Sequence, residues 1–394
     1  MIFLEIIMSA LVFVALVPVA VLLVQVLTAL PAYRYSAMPT GRCPSVAVVV
    51  PAHDEASGIA DTLATIKRQL LTGDRLIVVA DNCSDDTAAV ARASGADVIE
   101  RKDQRHRGKG YALDFAVRFL ARNPPEVVII IDADCLVGSE TIERLARVCT
   151  ETARPAQALY LTHSPAGAGL NTRIAEFAWL VKNMVRPLGS QRLRLPCQLM
   201  GSGMAFPWSA ISTTNLATGQ IVEDLLLGVD LARSGLPPQF CPEATVKSFF
   251  PTGTEGARSQ RTRWEHGHLG MVFDYAPRLL LEAIATGNWV LLAMVIDMCV
   301  PPLALLTLLV ATVSACATAL LASTGTAQPF WLAVVALALL SSAVFLSWCR
   351  FGRNVIPLSG LLHVPAYVVG KIPLYVMFLR KRQVEWIRSK REAR

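Results

Sequence analysis

The sequence predicts an α/β domain on a mostly parallel sheet, held between membrane-embedded helices. Residues 6–30 carry no charge. Over 45–285, β-branched runs alternate with amphipathic helical stretches, the pattern of strands joined by crossover helices. Beyond residue 303 long apolar runs return. A chain of 394 residues that is 53% hydrophobic and 17% charged suits this division, being too apolar for an ordinary soluble protein and too charged to lie wholly in a bilayer. The expected units are an anchor over 1–33, a soluble domain over 34–285, and interfacial and transmembrane helices with a basic tail over 286–394.

The uncharged run of 6–30 exceeds the ~20 helical residues that cross a bilayer core. A cleaved leader has a basic start and a short apolar core, whereas Glu5 precedes this long run, so it reads as an anchor. Arg34 and Arg42 follow it and place the next segment in the cytosol by the positive-inside rule. Segments 46–50 and 76–80 read as buried parallel strands. A helix starting near Ser57 joins them, with Ile59, Leu63, Ile66 and Leu70 at helical spacing. A further strand over 127–131 runs straight into Asp132, setting that acid at a strand's carboxyl end, where open α/β sheets bind ligands.

Segments 303–322 and 330–348 read as two spans. Segment 289–302 is interrupted by Asp297 and by Pro301-Pro302, and reads as an interfacial helix. Segment 358–379 contains His363, Pro365, Gly370, Lys371 and Pro373 between basic flanks; it is expected to re-enter or lie along the interface, a full span being the alternative. The net charge of +7 is concentrated in the tail, where residues 380–394 hold seven Lys/Arg against Glu385 and Glu392. Such a juxtamembrane surplus serves orientation and anionic lipid, and with no basic, aromatic-studded face elsewhere nucleic acid is not an expected partner. The nine cysteines form no CxxC pair, and their odd number suits neither a zinc site nor a disulfide framework.

Four clusters carry chemistry. Val50-Pro51-Ala52-His53-Asp54-Glu55 and Ala80-Asp81-Asn82-Cys83-Ser84-Asp85-Asp86 follow two strands, where acids can hydrogen-bond a base and ribose, although Asp85 and Asp86 suit turns and caps equally. Asp132-Ala133-Asp134 ends a buried apolar run, and such alternate carboxylates can reach one Mg²⁺ or Mn²⁺. Glu223-Asp224 offers a carboxylate to take a hydroxyl proton, or an acidic pair complementing a helix N-terminus. Gln260-Arg261-Thr262-Arg263-Trp264 offers guanidinium groups for a diphosphate and an indole face for a sugar ring.

The ordered series Asp81, Asp132-Ala133-Asp134, Glu223-Asp224 and Gln260-Arg261-Thr262-Arg263-Trp264 resembles the D, DxD, (T)ED and QxxRW signatures of the family 2 glycosyltransferases. Its nearest likeness is to the membrane synthases of cellulose, chitin and hyaluronan and their short-chain relatives. The resemblance implies a GT-A fold and metal-assisted, inverting transfer from a nucleotide sugar, a UDP-sugar foremost, to a glycan or lipid-linked acceptor. By it, Pro51, Ala52 and Glu55 would border the donor, Asp81 would bind the base, Asp132 the ribose or metal and Asp134 the metal. Asp224 would be the general base, with Glu223 in support. Gln260, Arg261, Arg263 and Trp264 would hold the diphosphate and the acceptor end. Arg107 and Lys109 resemble the family's basic loop near the donor, and Gly201-Ser202-Gly203 its small-residue turn beside the sugar.

The chain departs from that pattern where Val222 stands for the usual threonine and where Ala80 and Asn82 replace positions often held by Asp and Gly. His266 and His268 are read as packed side chains, or as extra metal or phosphate ligands. The expected location is a cytoplasmic (inner) membrane, multi-pass, with the catalytic domain in the cytosol and a membrane partner subunit left open. Chain synthesis and single-sugar transfer both fit. A sensor or scaffold that keeps a nucleotide-binding domain is the reading from a different class.

Overall fold

Valine and isoleucine dominate the central strands because those strands are buried on both faces. The computed structural model describes residues 2–382, so only Arg380, Lys381 and Arg382 of the basic tail fall within it and the rest of that tail lies outside the described residues. The strands are β1 (Val46–Ala52), β2 (Arg75–Asp81), β3 (Asp97–Arg101), β4 (Val127–Ile130), β5 (Leu136–Val137), β6 (Ala156–His163), β7 (Met204–Pro207) and β8 (Gln239–Phe249). They form one mixed sheet in the order β3-β2-β1-β4-β7-β6-β8-β5. Strands β1 to β4 pair in parallel, as do β6 and β8, while β7 joins β4 to β6 in antiparallel fashion. Val48 and Val50 pack towards Ile59, Leu63 and Ile142 on one side of the sheet, and Ala47 and Val49 towards Leu113, Ala116 and Leu227 on the other. Strand β3 escapes a reading based on apolar runs because two acids and an arginine fill three of its five positions.

Among the described residues, three helices are long and apolar enough to cross a membrane: Ile2–Ala29, Leu303–Thr324 and Gln328–Gly352. Val19, Leu22 and Val26 of the first share a buried cluster with Leu306, Val310, Ala336 and Leu340 of the other two. The first helix also rests on the helix Arg186–Arg192 of the α/β domain, and Gly189 makes this close approach possible, since a Cβ there would overlap the backbone of Gln25. Gly189→Ala should therefore cost about 1–3 kcal/mol by overpacking, read as a lower melting temperature in detergent; an unchanged melt would show that the two helices separate freely.

Beside this contact lies a buried polar network. Asp297 does not merely interrupt its helix, Trp289–Met298: its carboxylate accepts from Arg186 Nη2 at 2.7 Å, Gln25 Nε2 at 2.6 Å and Gln198 Nε2 at 2.5 Å. Gln25 Nε2 also donates to Ser190 Oγ at 3.1 Å. Segment 358–380 is three short helices, Leu358–Leu361, Val364–Val369 and Ile372–Arg380, each well under the length of a span. This segment packs on the helix Thr254–Asp274 through the Lys371–Glu265 ion pair, His266 Nε2 against Leu374 O at 3.1 Å, and Phe273 stacked on Phe378.

Candidate active site

The site forms where the carboxyl end of β4 meets two helix starts. Ile131 N–H still bonds Val49 O at 3.1 Å, so the chain leaves the sheet at Asp132, whose own N–H donates to the buried Ser202 Oγ at 3.0 Å. Gly108, at φ +127°, turns the chain into the helix Lys109–Leu120 and sets Lys109 at its first position. The Lys109 ammonium pairs with Asp132, donates to Gly201 O at 2.6 Å and stands 4.0 Å from Glu223 Oε1. Glu223 and Asp224 open the helix Glu223–Arg233, where the dipole favours acids, so the helix-terminus reading of this pair holds.

These groups converge on one glycine. A Cβ on Gly201 would lie 3.3 Å from Asp224 Oδ2, 3.7 Å from Lys109 Nζ and 3.9 Å from Asp132 Oδ2, and its φ of +90° is one that glycine adopts freely. Gly203, at φ +70°, passes between Ala158 and Val246, where a Cβ would come within 2.7 and 2.9 Å.

Burial pushes the Glu223 carboxyl up to about 7 against the pull of Lys109, and raises Asp224 as well. Burial alone would depress Lys109, but Asp132 and Glu223 outweigh it and hold the ammonium above its ordinary range. A base must be ionised to act, so the acid limb of kcat/KM should fall above the usual carboxylate range and shift in Glu223→Gln. An ordinary limb unmoved by that change would exclude these carboxylates from the profile.

Asp132, Asp134 and Cys135 bring a ligand atom each within 4.8 Å of one another. Burial, with the neighbouring Asp134 and Asp132, pushes the Cys135 thiol well above its ordinary value, so the usable donors are the two carboxylates, which suit Mg²⁺ or Mn²⁺. A second group, Asp54, Cys83 and Asp85, has its carboxylates committed to its own loops. Asp54 accepts from Ser84 N at 2.6 Å, and Asp85 from Ala56 N at 3.1 Å and Thr87 N at 3.0 Å. The turn reading therefore holds for Asp85.

At the carboxyl end of β2, Asp81 Oδ1 accepts from Arg101 Nη1 at 2.8 Å and Asn82 Nδ2 at 3.0 Å. Arg101 lies opposite Asp81 in the β2–β3 register and was not singled out from sequence. Asn82 sits at φ +52°, which explains why glycine is usual there and why asparagine can replace it. Pro51 and Ala52 end β1, and Glu55 N–H donates to Thr87 Oγ1 at 2.8 Å. Glu55 and Asp134 line one cavity of about 400 Å³ with Asp61, Pro165 and Phe249. Arg107 is exposed and bonded to Gln104, so of the two basic-loop candidates only Lys109 joins the carboxylates.

Gln260, Arg261, Arg263 and Trp264 all ride on the helix Thr254–Asp274. Trp264 stacks on Trp179 with centroids 4.4 Å apart, so one indole face is already covered by protein. Gln260 is buried and Arg263 half-buried. Val222, in place of the usual threonine, packs against Gly267 of this helix, where a Cβ would come within 2.6 Å. Lys182, which lies over the Trp179 ring at 5.2 Å, was missed. It belongs to a π-helical turn, Val181–Val185, inside an apolar stretch; such turns are frequent at functional sites.

The family model for "Glycosyltransferase like family 2" matches residues 44–267, more than half the chain. The chain belongs to that family. Of the solved structures, a mannosyltransferase from Pyrobaculum calidifontis in complex with GDP-Man and Mn²⁺ resembles this family 2 chain with a TM-score of 0.58 at 18% identity, covering 96% of this chain and 99% of that one, which shows the GT-A fold. Among curated relatives, the low-salt glycan biosynthesis hexosyltransferase Agl6 of Haloferax volcanii is 33% identical over 106 residues, 26% of this chain and 24% of that protein. An N-acetylglucosaminyltransferase of Rhizobium meliloti is 24% identical over 268 residues, 63% of this chain and 61% of that protein. This family 2 chain thus spans less than two thirds of the length of either relative.

Proposed function

We propose that this family 2 protein is a membrane glycosyltransferase, moving a sugar from a nucleotide-sugar donor, a UDP-sugar foremost, to a glycan or lipid-linked acceptor in cell-surface polysaccharide or glycolipid assembly. The observation that carries the reading is the convergence of Asp132, Lys109 and Asp224 on Gly201. In the proposed reaction an acceptor hydroxyl oxygen attacks the anomeric carbon, its proton passes to Asp224, and the bond to the diphosphate breaks with the electron pair leaving on the nucleotide; configuration inverts. Asp132 and Asp134 would hold a divalent cation, which when bound would offset the charge on the leaving diphosphate. Lys109 fixes Asp132 and the Gly201 carbonyl, and Asp81 with Arg101 would frame the base. With three spans, Arg34 and Arg42 after the first and Arg350 and Arg353 at the end of the third fall on one side, which supports a cytosolic catalytic domain.

The test is nucleotide release from a panel of nucleotide sugars by the detergent-purified protein with Mn²⁺ or Mg²⁺. Release from one donor should be abolished by EDTA, restored by either metal, and absent in Asp134→Ala. No release from any donor, with membrane lipids supplied, would favour a sensor or scaffold.

A further inference from the structure

A second cavity, of about 100 Å³, lies where the soluble domain meets the membrane helices. This is several times the ~10–15 Å³ that one water needs. Its walls come from three places. Trp179 and Lys182 supply one side, Arg261, Trp264 and His268 the second, and Leu22 with Pro302 and Leu306 the third. Leu22 lies about 10 Å along the helix from Ala29 at ~1.5 Å per residue, so the apolar end is inside the leaflet next to the soluble domain.

The polar end is cationic and short of partners. Lys182, Arg186, Arg261 and Lys371 line the cavity against one acid, Glu265. Arg186 is spent on Asp297 and Lys371 on Glu265, which leaves Lys182 and Arg261 without a carboxylate partner among the described residues. Arg261 Nε and Trp179 Nε1 have no hydrogen-bond partner. Buried donors and two cations without a contacting carboxylate call for an anion with several acceptor oxygens. The Leu22 side calls for an aliphatic chain on the same molecule.

We propose that this cavity seats the phosphate of a membrane lipid whose headgroup carries the acceptor hydroxyl, with Lys182 and Arg261 on the phosphate oxygens. The hydroxyl's fate rests on the transferase reading above: its oxygen bonds to the anomeric carbon, Asp224 takes the proton, and the nucleoside diphosphate leaves. The phosphate itself is untouched, serving as a grip. The covered face of Trp264 fits this arrangement, the indole being part of the cavity wall.

The experiment measures binding of hexadecyl phosphate to the full chain in detergent by native mass spectrometry, beside hexadecanol and inorganic phosphate. Hexadecyl phosphate should bind wild type and Asp134→Ala alike, at least about tenfold tighter than hexadecanol. Lys182→Gln and Arg261→Gln should each lose that margin, and Lys182→Arg should keep most of it, with melting curves confirming the fold. Equal binding of hexadecanol would show an apolar cavity only, and inorganic phosphate competing at equal concentration would show a site for the free anion; either overturns the proposal. Nucleotide release without selective hexadecyl phosphate binding defeats the lipid site alone, whereas selective binding without release from any donor defeats the transferase reading alone.

Discussion

Asp224→Asn should lower turnover by ~10²–10⁴-fold while leaving donor affinity nearly unchanged. The replacement is isosteric, and the amide oxygen can keep the 2.9 Å bond from Leu225 N–H that seats the side chain at its helix start. What disappears is the ability to take a proton. Lys109, the ion pair with Asp132 and Asp134, which would ligate the cation, are untouched, so the donor end should stay intact. Glu223 should respond too: Asp224 contributes to raising its pKa, so removing that charge should let the Glu223 carboxyl ionise at lower pH. Calorimetric donor binding and nucleotide release on the same preparation separate the two effects. Parallel loss of both would remove Asp224 from the role of base.

Asp297→Ala should cost about 3–5 kcal/mol, the typical penalty for leaving a buried charge unpaired. Arg186 is 6% exposed and its Nη2 bonds both the carboxylate and the backbone carbonyl of Asp297, while Gln25 and Gln198 each lose an acceptor. The physical origin of that loss can be isolated. Asp297→Leu combined with Arg186→Met removes both charges, and much of the stability should return, because replacing a buried pair with apolar groups is often neutral. Thermal unfolding in detergent reads both variants. A single variant as stable as wild type would mean that water or movement already compensates Arg186.

The residues legible from sequence were those whose chemistry contradicts their local pattern. Asp132 stood out because carboxylates at the end of an apolar strand need a reason, and the structure brings Asp132 together with Lys109 and Asp224. Residues that act through distant partners were not legible in the same way. Asp297 read as a helix breaker because its partners Gln25 and Arg186 lie 272 and 111 positions away. Arg101 was hidden in a short strand whose polar residues mask its periodicity. Lys182 was hidden differently, by a π-helical turn that shifts its facing away from what a 3.6-residue period implies.

The Gly189–Gln25 contact sets how far Asp224 stands from the bilayer. With the first span pressed backbone to backbone on the α/β domain and cross-linked through Gln25 to Arg186 and Asp297, Asp224 cannot rise or sink on a tether. The enzyme then works as a height gauge. On the proposed reading, a hydroxyl carried close to the membrane surface would meet Asp224 directly, whereas one at the far end of a long, stiff glycan would overshoot it, so acceptor length would be selected before any sugar is recognised.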